Sequence, residues 1–397
     1  MTRIAMQSRW VYLDNNATTR TDPLVVDAML PIYGDQYANP SSMHDLGAAA
    51  AGAVRTARQK ICALLGAERD SEIVFTSGGS ESNNTAILSA LKTQPGRNEI
   101  ITSTVEHPAI LAVCDALERE GKAKIHRIPV DCRGMLNLDA FRDALSSRTA
   151  LVSIQWANNE TGVVFPVQIL ASMAHDAGAL FHSDAVQAAG RIPLNAAATR
   201  IDMLSLSAHK MHGPKGIGAL YLRNGVKLAP LVHGGRQERG RRAGTENTPG
   251  IVGFGVAADL AMQTMQHDMK RISQLRDYVE REILRLVPGS ILIGGSRIRL
   301  PNTLNIAFEG VEADEILLKL NRARIAASSG SACSSGSMEP SHVLRAMKVP
   351  FSHLRGSVRF SFSRDNSDND VDRILEVLPQ VVWKLQANSH PMEAACD

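Results

Sequence analysis

The chain has 397 residues, of which 44% are hydrophobic and 21% are charged, which predicts a globular protein of two or three domains. Its 43 basic and 40 acidic residues give a net charge of +3, which argues against a nucleic-acid or anionic-membrane partner. The five cysteines form no C-x-x-C pair, which excludes a typical disulfide framework or zinc knuckle, and with no leader or membrane-spanning apolar run we expect a cytoplasmic protein.

Apolar runs alternate with amphipathic stretches from a short strand at 11–16 onward. The predicted strands are 72–75, 100–103, 124–130, 150–156, 179–183, 201–206 and 217–222. The predicted helices are 48–65, a helix following 76–84, and helices at 108–118, 138–145 and 167–177. Strands separated by helices of this length are typical of parallel β-α-β units, whose helices cover both faces of one sheet. The sequence therefore predicts an α/β fold with a mostly parallel sheet between helices.

The pattern changes after residue 250. A long helix is predicted at 251–285. The mixed elements that follow are strands 303–308, 325–327 and 357–362 and helices 313–320, 341–347 and 368–385. We therefore predict a large domain at 15–260. A smaller α+β domain would comprise 1–14 and 261–397 and carry a mobile cysteine loop at about 328–338.

The stretch 76–84 joins a predicted strand to a helix and reads Thr-Ser-Gly-Gly-Ser-Glu-Ser-Asn-Asn. Its hydroxyl groups and the free N–H groups of a helix N-terminus form a typical anion site, most often for phosphate. The stretch lacks the Gly-Lys-Ser/Thr of a Walker A loop. An ordinary helix cap is the alternative, because serine is a favoured capping residue.

Three more polar side chains follow strand ends, where open α/β sheets bind their ligands. His107 follows the strand at 100–103, while Asp184 and Lys210 come directly after two later strands. Each has a plain alternative. His107 and Asp184 are also typical of helix caps, and Lys210 could simply reach solvent from a turn.

Together these groups indicate pyridoxal 5′-phosphate. A desolvated lysine forms imines, and a carboxylate stabilises a protonated pyridine nitrogen. The cofactor would place its phosphate on Gly79 and Ser80 and its ring nitrogen on Asp184. His107 would lie over the ring, and Lys210 would form the imine.

Two further residues lie in the second region. Arg359, on a predicted strand, suits bidentate binding of a carboxylate, unless it lies on an exposed face. Cys333 lies in a loop of small residues, Ser328 to Ser337. An exposed thiol in such a loop is either an ordinary free cysteine or a reactive one that needs mobility.

These residues and their surroundings resemble the cysteine desulfurases of the NifS/IscS class, pyridoxal phosphate enzymes of fold type I with a class-V aminotransferase-like fold. The matching stretches are 12–19, 76–83, 106–108, 158–160, 184–187, 207–210, 213–216, 237–247, 328–334, 339–345 and 358–361. They extend from about residue 11 to 387, and 156–161 and 237–247 are similar to the nitrogen-fixation NifS branch. Ser80 is a departure, because threonine is frequent there.

The resemblance implies three catalytic residues: Lys210 for the imine and for removal of the α-proton, His107 for ring stacking and proton transfer, and Cys333 as the sulfur acceptor. It implies that the cofactor is held by Gly79, Ser80, Asn159, Asp184, Gln187, Ser207, His209, Lys210 and, from the neighbouring subunit, Thr245. Asn159 and Gln187 would bond the ring hydroxyl group. Arg359, with Asn159, would bind the substrate carboxylate.

The implied function is conversion of L-cysteine to L-alanine by a homodimer, with the sulfur left as a persulfide on Cys333. The sulfur would pass to an iron–sulfur cluster scaffold protein that serves nitrogenase, and Cys333 would briefly ligate a cluster shared with that scaffold. A selenocysteine lyase and an aminotransferase on the same scaffold are alternatives. A non-enzymatic cluster scaffold is a further alternative and would use its cysteines as ligands.

Overall fold

The computed structural model describes residues 9–295, 298–329 and 340–389. The strands of this described part are β1 (Val11–Tyr12), β2 (Ile73–Thr76), β3 (Glu99–Ser103), β4 (Lys124–Ile128), β5 (Thr149–Ser153), β6 (Leu180–Asp184), β7 (Met203–Ser207), β8 (Gly218–Leu222), β9 (Ile291–Ile293), β10 (Thr303–Ala307), β11 (Ile325–Ala326) and β12 (Ser357–Ser361). Its helices are α1 (Pro23–Tyr33), α2 (Asp45–Leu65), α3 (Gly79–Thr93), α4 (Pro108–Arg119), α5 (Leu138–Ala144), α6 (Val167–Asp176), α7 (Thr248–Leu286), α8 (Ala313–Arg322), α9 (His342–Ala346), α10 (Phe351–Leu354) and α11 (Asp368–Ser389).

Seven strands form the main sheet, in the order β2-β8-β7-β6-β5-β3-β4. β8 pairs antiparallel with both β2 and β7, and the other neighbouring pairs are parallel. The predicted α/β fold with a mostly parallel sheet is therefore confirmed. The reversed strand arises because β8 follows β7 through the short turn that contains Lys210, which is too short for a crossover helix.

Helices cover both faces of this sheet because successive strand residues point to opposite sides. Ile101 and Val152 pack in one core cluster with residues of α2, α5, α6 and the start of α7. Their neighbours Ile100 and Leu151 pack in the opposite cluster with residues of α3 and α4. The strands are thus buried on both sides, which explains their nearly continuous apolar runs.

A separate core cluster forms around the antiparallel sheet β9-β10-β12 and the pair β1-β11. It also contains apolar residues of α8, α11 and the second half of α7. α7 contributes Phe254 to the first core and Val279 to this one, and it crosses position 260 without a break. The domain limits therefore stay a prediction, with the N-terminal strand β1 lying beside β11.

Some elements differ from the prediction. α3 begins at Gly79, inside the stretch predicted as a turn. α1, β9 and α10 were not predicted. α1 contains Pro31, and apolar residues occupy positions 24–26, 28–30 and 32–33, so its sequence shows no polar face that would mark an amphipathic helix. Among the described helices, none combines the length and the apolar character needed to cross a membrane.

Candidate active site

The carboxyl ends of the parallel strands border a cavity of about 270 Å³. The predicted site residues that line it are Gly79, Ser80, His107, Asn159, Asp184, Gln187, Ser207, His209, Lys210 and Arg359. Thr245 is exposed, and Cys333 lies outside the described residues. The structure thus brings together side chains that are far apart in the sequence, while their chemical roles stay predictions.

One end of the cavity is rich in hydrogen-bond donors. Gly79 and Ser80 begin α3, where the first N–H groups of a helix have no acceptor within the helix. A Cβ at position 79 would lie 2.8 Å from Cγ2 of Val186, so glycine keeps this approach open. Ser207, at the end of β7, adds a hydroxyl group. This donor set fits the phosphate of pyridoxal 5′-phosphate.

A carboxylate suited to a protonated ring nitrogen lies in the same cavity. Asp184 ends β6 and is 8% exposed. Its Oδ2 accepts from Nδ2 of Asn83 at 2.7 Å, and its Oδ1 accepts from the Val186 N–H at 3.0 Å. Asn83 also lines the cavity, and within the described structure its buried Oδ1 has no partner. The residues present therefore fit the ring as well as the phosphate.

His107 caps α4 through its ring. Nδ1 accepts from the Ala109 N–H at 3.1 Å, so the neutral ring carries its hydrogen on Nε2. Burial lowers the pKa of His107; Asp184 opposes this and Lys210 reinforces it. The imidazole is therefore neutral near pH 7, and its Nε2–H is the ring donor available to a ligand. To accept a proton, as the proton transfer implied for His107 requires, the neutral ring would have to release this cap.

Lys210 comes three residues after β7, in a short 3₁₀ turn. Its Nζ donates to the carbonyl oxygens of Asn16 at 2.7 Å and Ala17 at 2.6 Å. Its neighbour His209 has a pKa lowered to about 4, first by burial and then by Lys210. The amine is thus held at the cavity by the N-terminal segment that precedes α1.

Arg359 reaches the cavity from β12, in the second core, and is 2% exposed. Its Nη2 pairs with Asp14 at 2.8 Å, and its Nη1 donates to the Asn159 carbonyl at 3.2 Å. Within the described structure its buried Nε has no hydrogen-bond partner. The guanidinium group is therefore oriented and still has a donor for a carboxylate.

Thr245 belongs to a loop that two ion pairs join to helices α2 and α3. Glu238 binds Arg58 at 2.6 Å and also accepts from the Phe75 N–H. Arg242 pairs with Glu81, in the first turn of α3, at 2.9 Å. Thr245 does not line the cavity of its own chain. Its role in a neighbouring subunit stays a prediction.

The sequence interpretation missed other residues of the cavity wall, namely Asn16, Ala17, Asn83, Gln155, Ala157 and Val186. Asn83 had a usable signal, because it lies four residues after Gly79 and shares its helix face. Asn16 lies in the matched stretch 12–19. Val186 lies in the matched stretch 184–187, whereas Gln155 lies in none of these stretches.

Glu106 is a buried acid beside the site. It accepts hydrogen bonds from Ser103 Oγ at 2.6 Å and from the Gln155 N–H at 3.0 Å. Burial, with a smaller effect of Asp184, raises the pKa of Glu106 to about 8. The folded protein therefore keeps a proton there at neutral pH that the unfolded chain releases.

We expect this proton to make stability fall with rising pH. Between about pH 5 and 8 the folded state holds one more proton than the unfolded state, so the free energy of unfolding decreases by up to about 1.4 kcal/mol per pH unit. Glu106→Gln should flatten this slope in denaturant unfolding measured across that range. Glu81→Gln is the control, because hydrogen bonds from Arg242 and Ser77 lower the pKa of Glu81 in spite of its burial and move its effect to more acidic pH. An unchanged slope in Glu106→Gln would show that Glu106 is ionised in the folded protein.

Metal ligands are not grouped in the described part of the chain, where no three His, Cys, Asp or Glu residues form a candidate metal site. The predicted cluster ligand Cys333 lies outside that part. Its role in binding an iron–sulfur cluster stays a prediction.

Comparison with known proteins extends over nearly the whole chain. Residues 11–374 match the family model "Aminotransferase class-V". The chain is 61% identical to a "Cysteine desulfurase" of Gluconacetobacter diazotrophicus over 96% of this chain and 95% of the relative. It is 53% identical to "Cysteine desulfurase NifS" of Azotobacter vinelandii, over 95% and 93% of the two chains. A solved "NIFS-LIKE PROTEIN" superimposes with a TM-score of 0.89 at 36% identity, covering 95% of this chain and 100% of the other.

Proposed function

The chain belongs to the class-V aminotransferase family, and on that premise we propose that it is a cysteine desulfurase that forms L-alanine and transfers the sulfur of L-cysteine to Cys333. Curated relatives with this activity in their names share 53% to 61% of their residues with it. The observation that carries the proposal is the cavity, where an amine, a carboxylate and a donor-rich helix start meet. The enzyme depends on pyridoxal 5′-phosphate.

The cavity residues would hold the cofactor by its charged groups. Asp184 would pair with the protonated ring nitrogen, and its orientation by Asn83 supports this role. The phosphate would be bound by Gly79, Ser80, Ser207, His209 and Thr245 of a second copy. Asn159 and Gln187 would bond the ring hydroxyl group. When bound, the cofactor supplies an electron sink for the electrons left when a Cα–H bond breaks.

The remaining groups act on the substrate. The guanidinium group of Arg359 would donate to the carboxylate of L-cysteine, because Nη1 and Nη2 each carry two N–H groups and use one of them, for Asn159 and Asp14 respectively. Lys210 would hold the cofactor covalently and move the proton at Cα. The C–S bond then breaks as the sulfur joins Sγ of Cys333, and the carbon skeleton takes up protons to leave as L-alanine.

A second copy of the chain would complete the site. Thr245 is exposed on the loop that the two ion pairs hold in place. Large apolar side chains in and just after α1 are also exposed, among them Leu30, Tyr33 and Tyr37. Exposed apolar surface of this kind is typical of subunit interfaces. We therefore propose a homodimer. The persulfide would pass to an iron–sulfur scaffold protein in the cytoplasm, with nitrogenase assembly as the process suggested by the NifS-type relatives.

The test is to incubate the purified holoenzyme with L-cysteine alone. We expect L-alanine to form without a keto-acid acceptor, and mass spectrometry should find one added sulfur atom on the peptide that contains Cys333. A requirement for a keto acid would instead identify an aminotransferase. Turnover of selenocysteine without any turnover of cysteine would identify a selenocysteine lyase.

A further inference from the structure

Arg191 binds four oxygen atoms at the edge of the site. One amino group, Nη1, donates to the side-chain Oε1 of Gln187 and, at 3.2 Å, to its backbone carbonyl. The other, Nη2, donates to the carbonyls of Asn15 at 3.1 Å and Lys210 at 3.3 Å. Arg191 is not among the residues that line the cavity, so it acts on the site through Gln187 and Lys210.

The charge of Arg191 is not balanced by a neighbouring acid. Within the described part of the chain no carboxylate forms an ion pair with Arg191, and burial and then Arg359 lower the pKa of Arg191 to about 9. Burying a cation is costly unless it is paired, and carbonyl dipoles compensate less than a carboxylate does. Arg359, by contrast, forms an ion pair with Asp14. A positive charge without an ion-pair partner, held on the backbone carbonyl of Lys210, indicates a role beyond stability.

Arg191 also decides which way the Gln187 amide faces. A guanidinium group has five donors and no acceptor, so the atom of Gln187 that meets it must be Oε1. The amide nitrogen Nε2 then points away and donates to the Asn16 carbonyl at 3.1 Å. Nε2 carries two hydrogens, and the bond to Asn16 uses one of them. Because Gln187 lines the cavity, the second N–H is the donor that it can offer to a ligand there.

We propose that Arg191 is a positioning residue that fixes the Gln187 amide with its N–H group toward the cofactor and adds positive charge next to Lys210. This inference rests on the proposed function, in which Gln187 bonds the ring hydroxyl group. A donor on that oxygen stabilises its anionic form. The positive charge of Arg191 disfavours a second positive charge on the nitrogen that Lys210 contributes. Both effects lower the pH at which that nitrogen loses its proton.

The other charged and titratable groups near the site are Asp14, Asp184, His107, His209, Arg359 and the buried Glu106. Burial raises the pKa of Glu106 to about 8, so Glu106 changes its charge within the range of the titration. Burial lowers the pKa of both histidines, that of His209 to about 4, so neither changes its charge in that range. A spectroscopic titration from neutral to alkaline pH therefore uses a Glu106→Gln background, in which it follows the lysine-derived nitrogen without the titration of Glu106.

The experiment is a pH titration of the visible absorbance of the bound cofactor in the Glu106→Gln holoenzyme without substrate. We expect Arg191→Gln to raise the apparent pKa by about one pH unit, because charge and amide orientation are both lost. Arg191→Lys keeps the charge and should give a smaller rise. Arg223→Gln is the matched control, because Arg223 also donates to backbone carbonyls, those of Ala196, Thr199 and Ile201, but lies away from the cavity. Its titration should match that of the Glu106→Gln holoenzyme.

A double variant tests the route through Gln187. In a Gln187→Leu background the amide is already lost, so Arg191→Gln should raise the apparent pKa by less than it does alone. An unchanged pKa in both Arg191 variants, or an equal change in Arg223→Gln, would overturn the inference while the bound cofactor leaves the proposed function intact. Purified wild-type protein that binds no pyridoxal phosphate would contradict the proposed function itself.

Discussion

Replacing Lys210 by alanine should lower the rate of L-alanine formation by about a thousand-fold or more, because one amine is proposed to hold the cofactor and to move the α-proton. The bound cofactor should also become resistant to fixation by borohydride, which reduces a lysine–cofactor imine to a stable amine. Both are measured on purified protein, by alanine assay and by mass spectrometry of the Lys210 peptide. Cofactor that is still fixed at another lysine would refute the assignment.

The Lys210 variant needs a control for stability. Nζ of Lys210 donates to the carbonyls of Asn16 and Ala17. After its removal the Asn16 carbonyl still accepts from Nε2 of Gln187, so the part-buried Ala17 carbonyl is the acceptor that loses its donor, at a cost of up to about 1–3 kcal/mol. Lys215→Ala changes an exposed lysine in the same turn and should retain activity. If the circular dichroism spectra of both variants match that of the wild type, the loss of activity in Lys210→Ala results from the missing amine and not from unfolding.

Cys333→Ser should abolish persulfide formation while the cofactor stays bound and yellow. A serine hydroxyl cannot accept sulfur, and we expect L-alanine formation to fall about a thousand-fold or more. The assay is sulfide release and alanine formation from L-cysteine, with the absorbance of the cofactor recorded on the same sample. Normal sulfide release would place the acceptor elsewhere.

The other cysteines of the described chain are poor acceptors. Cys62 and Cys114 are buried, and burial raises the pKa of both thiols, that of Cys114 to about 12. Protonated thiols react slowly, because the thiolate is the nucleophile. Cys132 is exposed and lies in a turn outside the cavity wall. Cys132→Ser is therefore the matched control and should keep full activity.

The sequence predicted the strand ends well because strands buried on both faces give long apolar runs, and the polar residue that follows each run is easily seen. Asp184 and Lys210 were found in this way, and both line the cavity. Contacts between segments that are distant in the sequence could not be predicted from such runs. Asp14 pairs with Arg359, and Asn16 accepts from Lys210, only because the two cores meet there.

Helix starts were less predictable than strands. The stretch 76–84 contains glycine and several serines, which favour a turn, yet α3 begins at Gly79. Tertiary packing of Ala86 and Ile87 overrides this local preference. Arg191 carried no signal in the sequence, since a single arginine after a strand is usually exposed.

The site can be completed only late in protein synthesis, because segments that contact each other there are far apart in the chain. Among the described strands β2 pairs with β8, and at about 5–20 residues per second the ribosome delivers Tyr221 on the order of ten seconds after its partner Ile73. Asp14 emerges among the first residues, yet its partner Arg359 emerges among the last. The nascent polypeptide therefore lacks a finished cavity for most of its translation, and we expect pyridoxal 5′-phosphate to bind only when synthesis is nearly complete.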